Sequence, residues 1–273
     1  MAKETLKTVE RTLALLRTFD RASPEMTVAE LVRRLGLPRT VVTRILATLE
    51  EEEFLERVPG TLKYRAGIAA CELGALYLVG NPLVQSSHEV LRALSENTGF
   101  PVYLGTRYGA EVFILALHEG RMPVRFTWSA GDRLPIATTA LGKAMLAQMP
   151  GDELDALLGS GLLPGLTEGS LRTRAELDSQ LAAYAHKGWV PAFEESFPGV
   201  HAVGTAVLAP DGAVVAGISI SFIRNDREPD QIETMGRLVA DAALAIGRNL
   251  LTYQAYGAEH ASAPKFRLGL QGL

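Results

Sequence analysis

Residues 27–50 read TVAELVRRLGLPRTVVTRILATLE, and the spacing of their apolar positions decides the fold of the amino-terminal part. Thr27-Val28-Ala29-Glu30 is a capping-box pattern. The Thr27 hydroxyl can accept from the Glu30 amide, and the Glu30 carboxylate can reach back to the amide of Thr27. The helix it opens buries Val28, Leu31 and Leu35 and stops at Gly36, a residue that takes positive φ without strain. Pro38 suits the first turn of a second helix, where a missing amide hydrogen costs nothing. There Val42, Ile45, Leu46 and Leu49 fall at i, i+3, i+4 and i+7 and form one apolar stripe. The opposite face carries Thr40, Thr43, Arg44 and Ala47, with Arg39 at its start. A helix lying in a major groove needs such a face, small enough for close approach and with donors for phosphates and base edges.

Working outward, residues 6–21 read as an amphipathic helix with Val9, Leu13, Leu16 and Phe19 near one face, broken by Ser23-Pro24. Residues 54–58 and 62–65 read as a hairpin across Pro59-Gly60-Thr61, to which Arg57, Lys63 and Arg65 add positive charge. The acidic run Glu50 to Glu53 is read as a solvated helix end turned away from a duplex. In this order the elements make a winged helix-turn-helix, with Arg39, Thr40, Thr43, Arg44, Arg57, Lys63 and Arg65 expected at the DNA. Short helices and a hairpin also occur in domains that bind no DNA, so charge is a useful second observation. Residues 1–66 hold 12 Lys or Arg against 10 Asp or Glu, and the remainder holds 15 against 21. A slightly basic head on an acidic body suits a DNA reader carried by another domain. The acidic body weighs against a protein that coats DNA in bulk.

Residues 67–98 read as helices broken at Gly80-Asn81-Pro82, with Ile68, Leu73, Leu76 and Tyr77 as apolar positions. From about residue 100 the texture changes. Strands are expected at 102–104, 112–117 and 124–128, and helices at 139–149, 152–159 and 174–187. A hairpin joins 203–209 to 214–223 across Pro210-Asp211-Gly212, and a long amphipathic helix covers 230–253. Mixed elements of this kind imply an α+β domain with an antiparallel sheet. The expected division is a DNA-binding domain at 1–66, a linker helix at 67–82, an α+β domain at 83–254 and a mobile tail at 255–273.

Composition narrows the function classes. With 47% hydrophobic and 21% charged residues the chain is an ordinary folded protein, not a disordered one. No apolar run reaches the ~18 residues of a membrane span. The start, MAKETLKTVERTL, breaks every apolar stretch with charge and does not read as a secretory leader. The single cysteine, Cys71, cannot close an internal disulfide and is expected as a buried small hydrophobe. A cytoplasmic location fits these features. His88, His118, His186, His201 and His260 show no metal-ligand spacing, so neither metal nor cofactor is expected. Lys143 is not a phosphate-loop lysine, because Ala137 stands where that loop needs glycine. A small-molecule hydrolase is the rival class, with Ser219, His201 and Glu194 as a triad on paper. No Gly-x-Ser-x-Gly elbow supports it, and no catalytic residue is assigned.

Four stretches carry a likeness to a known family: LPRTVVTRILATLEEEEFL at 37–55, TLKYRAG at 61–67, GDRLPIATTALGKAMLA at 131–147 and EESFPGVHAVGTAVLAPDGAVVAGISIS at 194–221. Together, in this order, they resemble the IclR family of transcription regulators over roughly 5–253. The resemblance implies a winged helix-turn-helix, a linker helix and a GAF-like effector domain whose curved sheet holds a small organic ligand. It also implies dimers or tetramers on partly palindromic operator DNA. By spacing alone Ser219 and Ser221 share one face of a strand, and strand serines are commonly surface residues; the resemblance turns them toward a ligand. It likewise gives the backbone amides of Ala140, Leu141 and Gly142 a role in receiving a carboxylate at a helix start. The alternative there is a plain cap by Thr138 or Thr139. Two positions depart from the family: its oxo-acid responders carry Asp where this chain has Phe193, and many of its members carry Cys where this chain has Ala202. The expected effector therefore has an apolar or aromatic body and an acidic or polar end.

Overall fold

The structure, a computed structural model, describes residues 6–121, 128–159, 161–223 and 230–260. It forms two compact units, Met1–Gly80 and Asn81–Leu273. In chain order the first contains α1 (Lys7–Leu16), β1 (Met26–Thr27), α2 (Val28–Leu35), α3 (Arg39–Glu51), β2 (Leu55–Arg57), β3 (Lys63–Ala66) and α4 (Ile68–Gly80).

The capping box at the start of α2 is formed. The Thr27 amide donates to Glu30 Oε2 at 2.8 Å and the Glu30 amide to Thr27 Oγ1 at 3.3 Å. The Thr27 amide and hydroxyl, both donating to Glu30 Oε2, hold the Glu30 carboxyl below its ordinary range. Gly36 ends α2 in the left-handed conformation. Val42, Ile45, Leu46 and Leu49 of α3 are buried together with Leu15, Met26, Leu31, Leu55 and Tyr64, so the apolar stripe forms one small core. The strands make an antiparallel sheet in the order β1-β3-β2, with Glu56 opposite Arg65. β1 was not expected from sequence. It is two residues long, too short for an alternating pattern to register.

Three expectations for this unit need correction. The first helix ends at Leu16, not near residue 21, and Phe19 turns in against the core. Val9 and Leu13 are half exposed, so the face that buries α1 is set by Leu15. Cys71 is exposed on α4, because no residue of that helix is buried. Apolar residues on every side of α4 gave the cysteine a core-like context without a core.

The second unit contains α5 (Pro82–Thr98), β4 (Val102–Tyr108), β5 (Glu111–His118), β6 (Arg133–Pro135), α6 (Ala140–Leu146), α7 (Gly151–Leu158), α8 (Arg174–Tyr184), β7 (Val190–Phe193), β8 (Val200–Leu208), β9 (Val214–Ile223) and α9 (Gln231–His260). Asn81 caps α5 and Pro82 opens it, as the break in the sequence implies. Six strands form an antiparallel sheet in the order β6-β5-β4-β9-β8-β7. One face buries Leu104, Val203, Ile218, Ile220 and Phe222 against α5 and α9. The other packs Tyr103, Ile114 and Val190 against α6 and the segments around it.

β6 and β7 were missed because each is three or four residues long. α9 runs to His260, so residues 255–260 continue the helix instead of starting a tail. The strand expected over 124–128 and the tail beyond 260 lie outside the described residues, apart from Trp128, which has no regular secondary structure.

Candidate DNA interface and ligand cavity

On α3 the face opposite the core is open. Arg39, Thr40, Thr43, Arg44 and Ala47 are all exposed, as their spacing requires. The Thr43 hydroxyl donates to the Arg39 carbonyl at 2.9 Å, which leaves its oxygen able to accept. The wing is electrically different. Arg57 Nε lies 2.9 Å from Glu50, Arg65 Nε 2.5 Å from Glu56, and Lys63 3.8 Å from Glu25. Each wing cation expected at DNA therefore has an acidic neighbour in the same unit. Glu50 is not simply turned into solvent, since it faces the wing through Arg57. Exposed pairs of this kind contribute little to stability, so they can open when phosphates compete.

The second unit holds a cavity on the α6 side of its sheet. It is lined by Ala140 and Leu141 of α6, by Ala192, Ala202, Ser219, Ser221 and Tyr103 of the sheet, and by residues that include Trp128, Leu134, Glu195 and Phe197. About 540 Å³ of space lies between these atoms, its open mouth included. Strand register explains the hollow. Tyr103 lies opposite Ser219, which lies opposite Gly204; in the next row Ser221 lies opposite Ala202, and Ala202 opposite Ala192. Small side chains along two adjacent rows leave a depression in the sheet face.

The same small residues seat α6. A Cβ on Gly204 would lie 2.5 Å from Ala140 C and Leu141 N, and one on Gly217 would lie 2.4 Å from the Leu141 carbonyl oxygen. Only glycine lets the first turn of α6 rest directly on β8 and β9. The Thr139 hydroxyl caps that turn by accepting from the Gly142 amide at 3.0 Å. Gly142 therefore does not line the cavity, and its amide serves the cap, the bland alternative read from sequence.

Phe193 is a second correction. It adjoins Ala192 on β7, and side chains alternate along a strand. Ala192 lines the cavity, while the Phe193 ring meets His201 edge-on at 5.5 Å. His201 in turn stacks on Phe222 at 6.3 Å, on the face away from Ser219. His201 Nε2 is 4.0 Å from Glu194 Oε1, but the sheet separates this pair from the serines. The paper triad is not assembled.

Lys143 and Glu195 form the site's principal feature not foreseen from sequence. Both are buried, at 0% and 2% exposure, and Lys143 Nζ lies 2.5 Å from Glu195 Oε1. Lys143 also donates to Gln180 Oε1 at 2.5 Å. Glu195 Oε1 further accepts from Gln180 Nε2 and from the Phe193 amide, each at 3.3 Å. Burial draws the lysine down to about 8 and pushes the carboxyl above its ordinary value, while the ion pair opposes both shifts. The pair ties α6 to the end of β7 and fixes the carboxylate in the cavity wall. One sequence signal was available: a single cation inside the apolar run ALGKAML requires a buried counter-charge. Among the described residues no cluster could hold a metal ion.

A helix-turn-helix with an open polar helix face, joined to an α+β unit with a ligand-sized cavity, defines a ligand-responsive DNA-binding transcription regulator. Family models agree with this architecture. The IclR helix-turn-helix domain matches residues 8–59, and the bacterial transcriptional regulator IclR C-terminal domain matches residues 75–248. The chain belongs to the IclR family. It is 28% identical over 245 residues to the HTH-type transcriptional regulator XynR of Escherichia coli strain K12, covering 90% of this chain and 97% of XynR. A crystal structure of an IclR-type regulator from Silicibacter sp. TM1040 superposes with a TM-score of 0.77 at 27% identity, covering 89% of this chain and 96% of that one. An IclR homologue from Microbacterium hydrocarbonoxydans, complexed with 4-hydroxybenzoate, shares the fold with a TM-score of 0.76 at 21% identity, covering 90% and 99%.

Proposed function

We propose that α3 reads operator DNA through Arg39, Thr40, Thr43 and Arg44, and that the cavity in the second unit binds an organic effector that changes operator affinity. The observation that carries the reading is the hollow in the sheet. Ala140, Leu141, Ala202, Ser219 and Ser221, five of the seven residues named from sequence for the effector, line it together. Its walls are mainly apolar, with a few converging hydroxyls, the usual make-up of a small-molecule site. Ala202 and Ala192 place methyl groups where a small polar acid would need partners. This supports an effector with an apolar or aromatic body and a polar end. The 4-hydroxybenzoate held by the Microbacterium homologue is a molecule of that kind. Arg57, Lys63 and Arg65 join the DNA contact by exchanging their acidic neighbours for phosphates. The protein acts in the cytoplasm and performs no catalysis.

The active species is a homodimer or a pair of dimers. α4 buries none of its residues, and Ile68, Leu73, Leu76, Tyr77 and Val79 are each more than half exposed. An apolar helix without a core needs a partner, and a second copy supplies one with two-fold symmetry. Two recognition helices then read half-sites one or more helical turns apart. A thermal-shift screen of small aromatic and aliphatic acids, followed by operator titration with each hit, tests the effector assignment. A hit that stabilises the protein and shifts operator affinity without being turned over supports it. Turnover of the hit overturns the assignment.

A further inference from the structure

Glu195 Oε2 has no hydrogen-bond partner, although the residue is only 2% exposed and lines the cavity. Buried polar atoms are rarely left unpaired, and each one that is calls for an explanation such as a bound ligand. The rest of the residue is fixed. Oε1 accepts from Lys143, Gln180 and the Phe193 amide, and the backbone carbonyl accepts from the Ser170 hydroxyl at 2.7 Å. One carboxylate oxygen is therefore saturated, and the other is held in place with its lone pairs free, as an acceptor set in position beforehand. The Phe193 amide that binds Oε1 directly follows Ala192. The carboxylate thus stands at the β7 end of the row formed by Ala192, Ala202 and Ser221. The two alanines offer only methyl groups, and Ser221 is two strands away, about 10 Å at the spacing of neighbouring strands.

Charge narrows what can sit against Oε2. Among the described residues that line the cavity none is Lys, Arg or His. Lys143 is fully buried and engaged by Oε1 and by Gln180. An ionised carboxylate placed at Oε2 would meet a like charge with no further cation to offset it. An ether oxygen would set lone pair against lone pair. A cationic amine would add a third charge to a pair already balanced, at the cost of its own desolvation. A neutral hydroxyl or N–H donates to Oε2 without any of these penalties.

We propose that Glu195 is a specificity residue of the cavity: its Oε2 accepts a hydrogen bond from a neutral hydroxyl or N–H group on the effector and turns an ionised carboxylate away from that end. Lys143 and Gln180 act as positioning residues, since they hold Oε1 and so aim Oε2. An acidic group on the same molecule lies away from Glu195, toward the Ser219 and Ser221 side or the mouth. The proposal rests on the reading of the cavity as the effector site and adds the chemistry of one end of the ligand.

Calorimetric titration of the full-length protein with five benzoates that differ only at the para position tests it. 4-Hydroxybenzoate and 4-aminobenzoate carry a neutral donor there; 4-methoxybenzoate, benzoate and terephthalate do not. The two donors should bind on the order of 10- to 100-fold more tightly than the methoxy and unsubstituted rings, the range for a hydrogen bond to a charged group. Terephthalate should bind most weakly. Glu195→Gln keeps an oxygen for Lys143 and offers the cavity an amide N–H in place of Oε2, so the preference for donors should vanish or reverse toward 4-methoxybenzoate and terephthalate. A merely structural role for Glu195 would weaken all five compounds alike and leave their ratios unchanged. Should Glu195→Gln fail to fold with Lys143 unpaired, Lys143→Met combined with Glu195→Gln removes both charges and reads the same ratios. The proposal is overturned if non-donors bind the parent protein as tightly as donors, or if the donor preference persists undiminished in the variant. Tightest binding by terephthalate or 4-methoxybenzoate overturns it too, since Oε2 would then be protonated and donating. If non-donors bind and respond to Ser219→Ala, the effector-site reading survives and only the role of Glu195 is wrong. If none of the five binds, the wider reading of an aromatic effector fails and the proposal fails with it.

Discussion

Replacing Lys143 with Met strands a carboxylate inside the second unit. Glu195 is 2% exposed and its counter-ion lies 2.5 Å away. Methionine keeps much of the lysine's bulk and removes its charge, so the change isolates the electrostatic loss. Breaking a buried pair by removing one partner costs about 3–5 kcal/mol. For a unit of roughly 150–250 residues each kcal/mol moves the melting temperature by about 2–4 °C, so the expected fall is roughly 6–20 °C. The pH dependence has a definite sign. Burial already raises Glu195 above its ordinary 4.5, and loss of Lys143 raises it further. A carboxyl whose folded pKa is raised stabilises the fold fully below its unfolded pKa and loses that contribution as pH rises through the folded value. The deficit of Lys143→Met against the parent protein should therefore be smallest near pH 5 and largest above pH 7. Replacing both residues with Met should recover at least half of the loss, because an apolar pair removes the stranded charge. Thermal melts of the full-length protein between pH 5 and 8, followed by near-ultraviolet circular dichroism, read all three quantities. Equal melting at pH 7, or a deficit that does not change with pH, would mean that Glu195 is not stranded when Lys143 is lost.

Further outcomes follow from the same geometry. Gly204→Ala puts a Cβ 2.5 Å from the backbone of Ala140 and Leu141, which cannot yield as a side chain can. It should cost about 1–3 kcal/mol and weaken effector binding, measured by denaturant unfolding and titration; unchanged stability would mean α6 is not seated on β8. Ser219→Ala with Ser221→Ala should weaken the effector by roughly 0.5–1.5 kcal/mol per hydrogen bond lost, with operator binding in its absence unchanged. Replacing Leu73 and Leu76 of α4 with Glu should dissociate the oligomer in light scattering and lower operator affinity; an intact dimer would remove α4 from the interface.

The first unit was legible from sequence because its signals are local. A capping box spans four residues, and the apolar stripe of α3 repeats every three or four. Both sides of that helix emerged as read, buried at Val42, Ile45, Leu46 and Leu49 and open at Thr40, Thr43 and Arg44. The cavity was only partly legible. Ser219 and Ser221 share a face by strand parity, but which residue of β7 joins them depends on register. Ala192 and not Phe193 reaches the cavity, and Glu194 then takes a positive φ of 56° that turns the chain and brings Glu195 back into the wall. Lys143 and Glu195 are 52 positions apart, and no local pattern joins them. Cys71, Val9 and Leu13 were misread for a different reason. Apolar spacing shows that a face seeks burial but not whether the same chain supplies the partner.

In the proposed function α3 reads DNA sequence as one half of a symmetric assembly. Selection of duplexes from a random pool by the full-length protein tests it most directly, followed by fluorescence anisotropy of the enriched duplex at fixed salt with the parent protein, Arg39→Ala and Arg44→Ala. The expected product is an inverted repeat with half-sites about one helical turn apart or a multiple of it. Arg44→Ala should lose about 1–3 kcal/mol of binding where the guanidinium reads a base, or show a salt dependence shallower by about one counter-ion where it holds a phosphate. No enriched sequence, or an enriched duplex bound equally well by both variants, would contradict it.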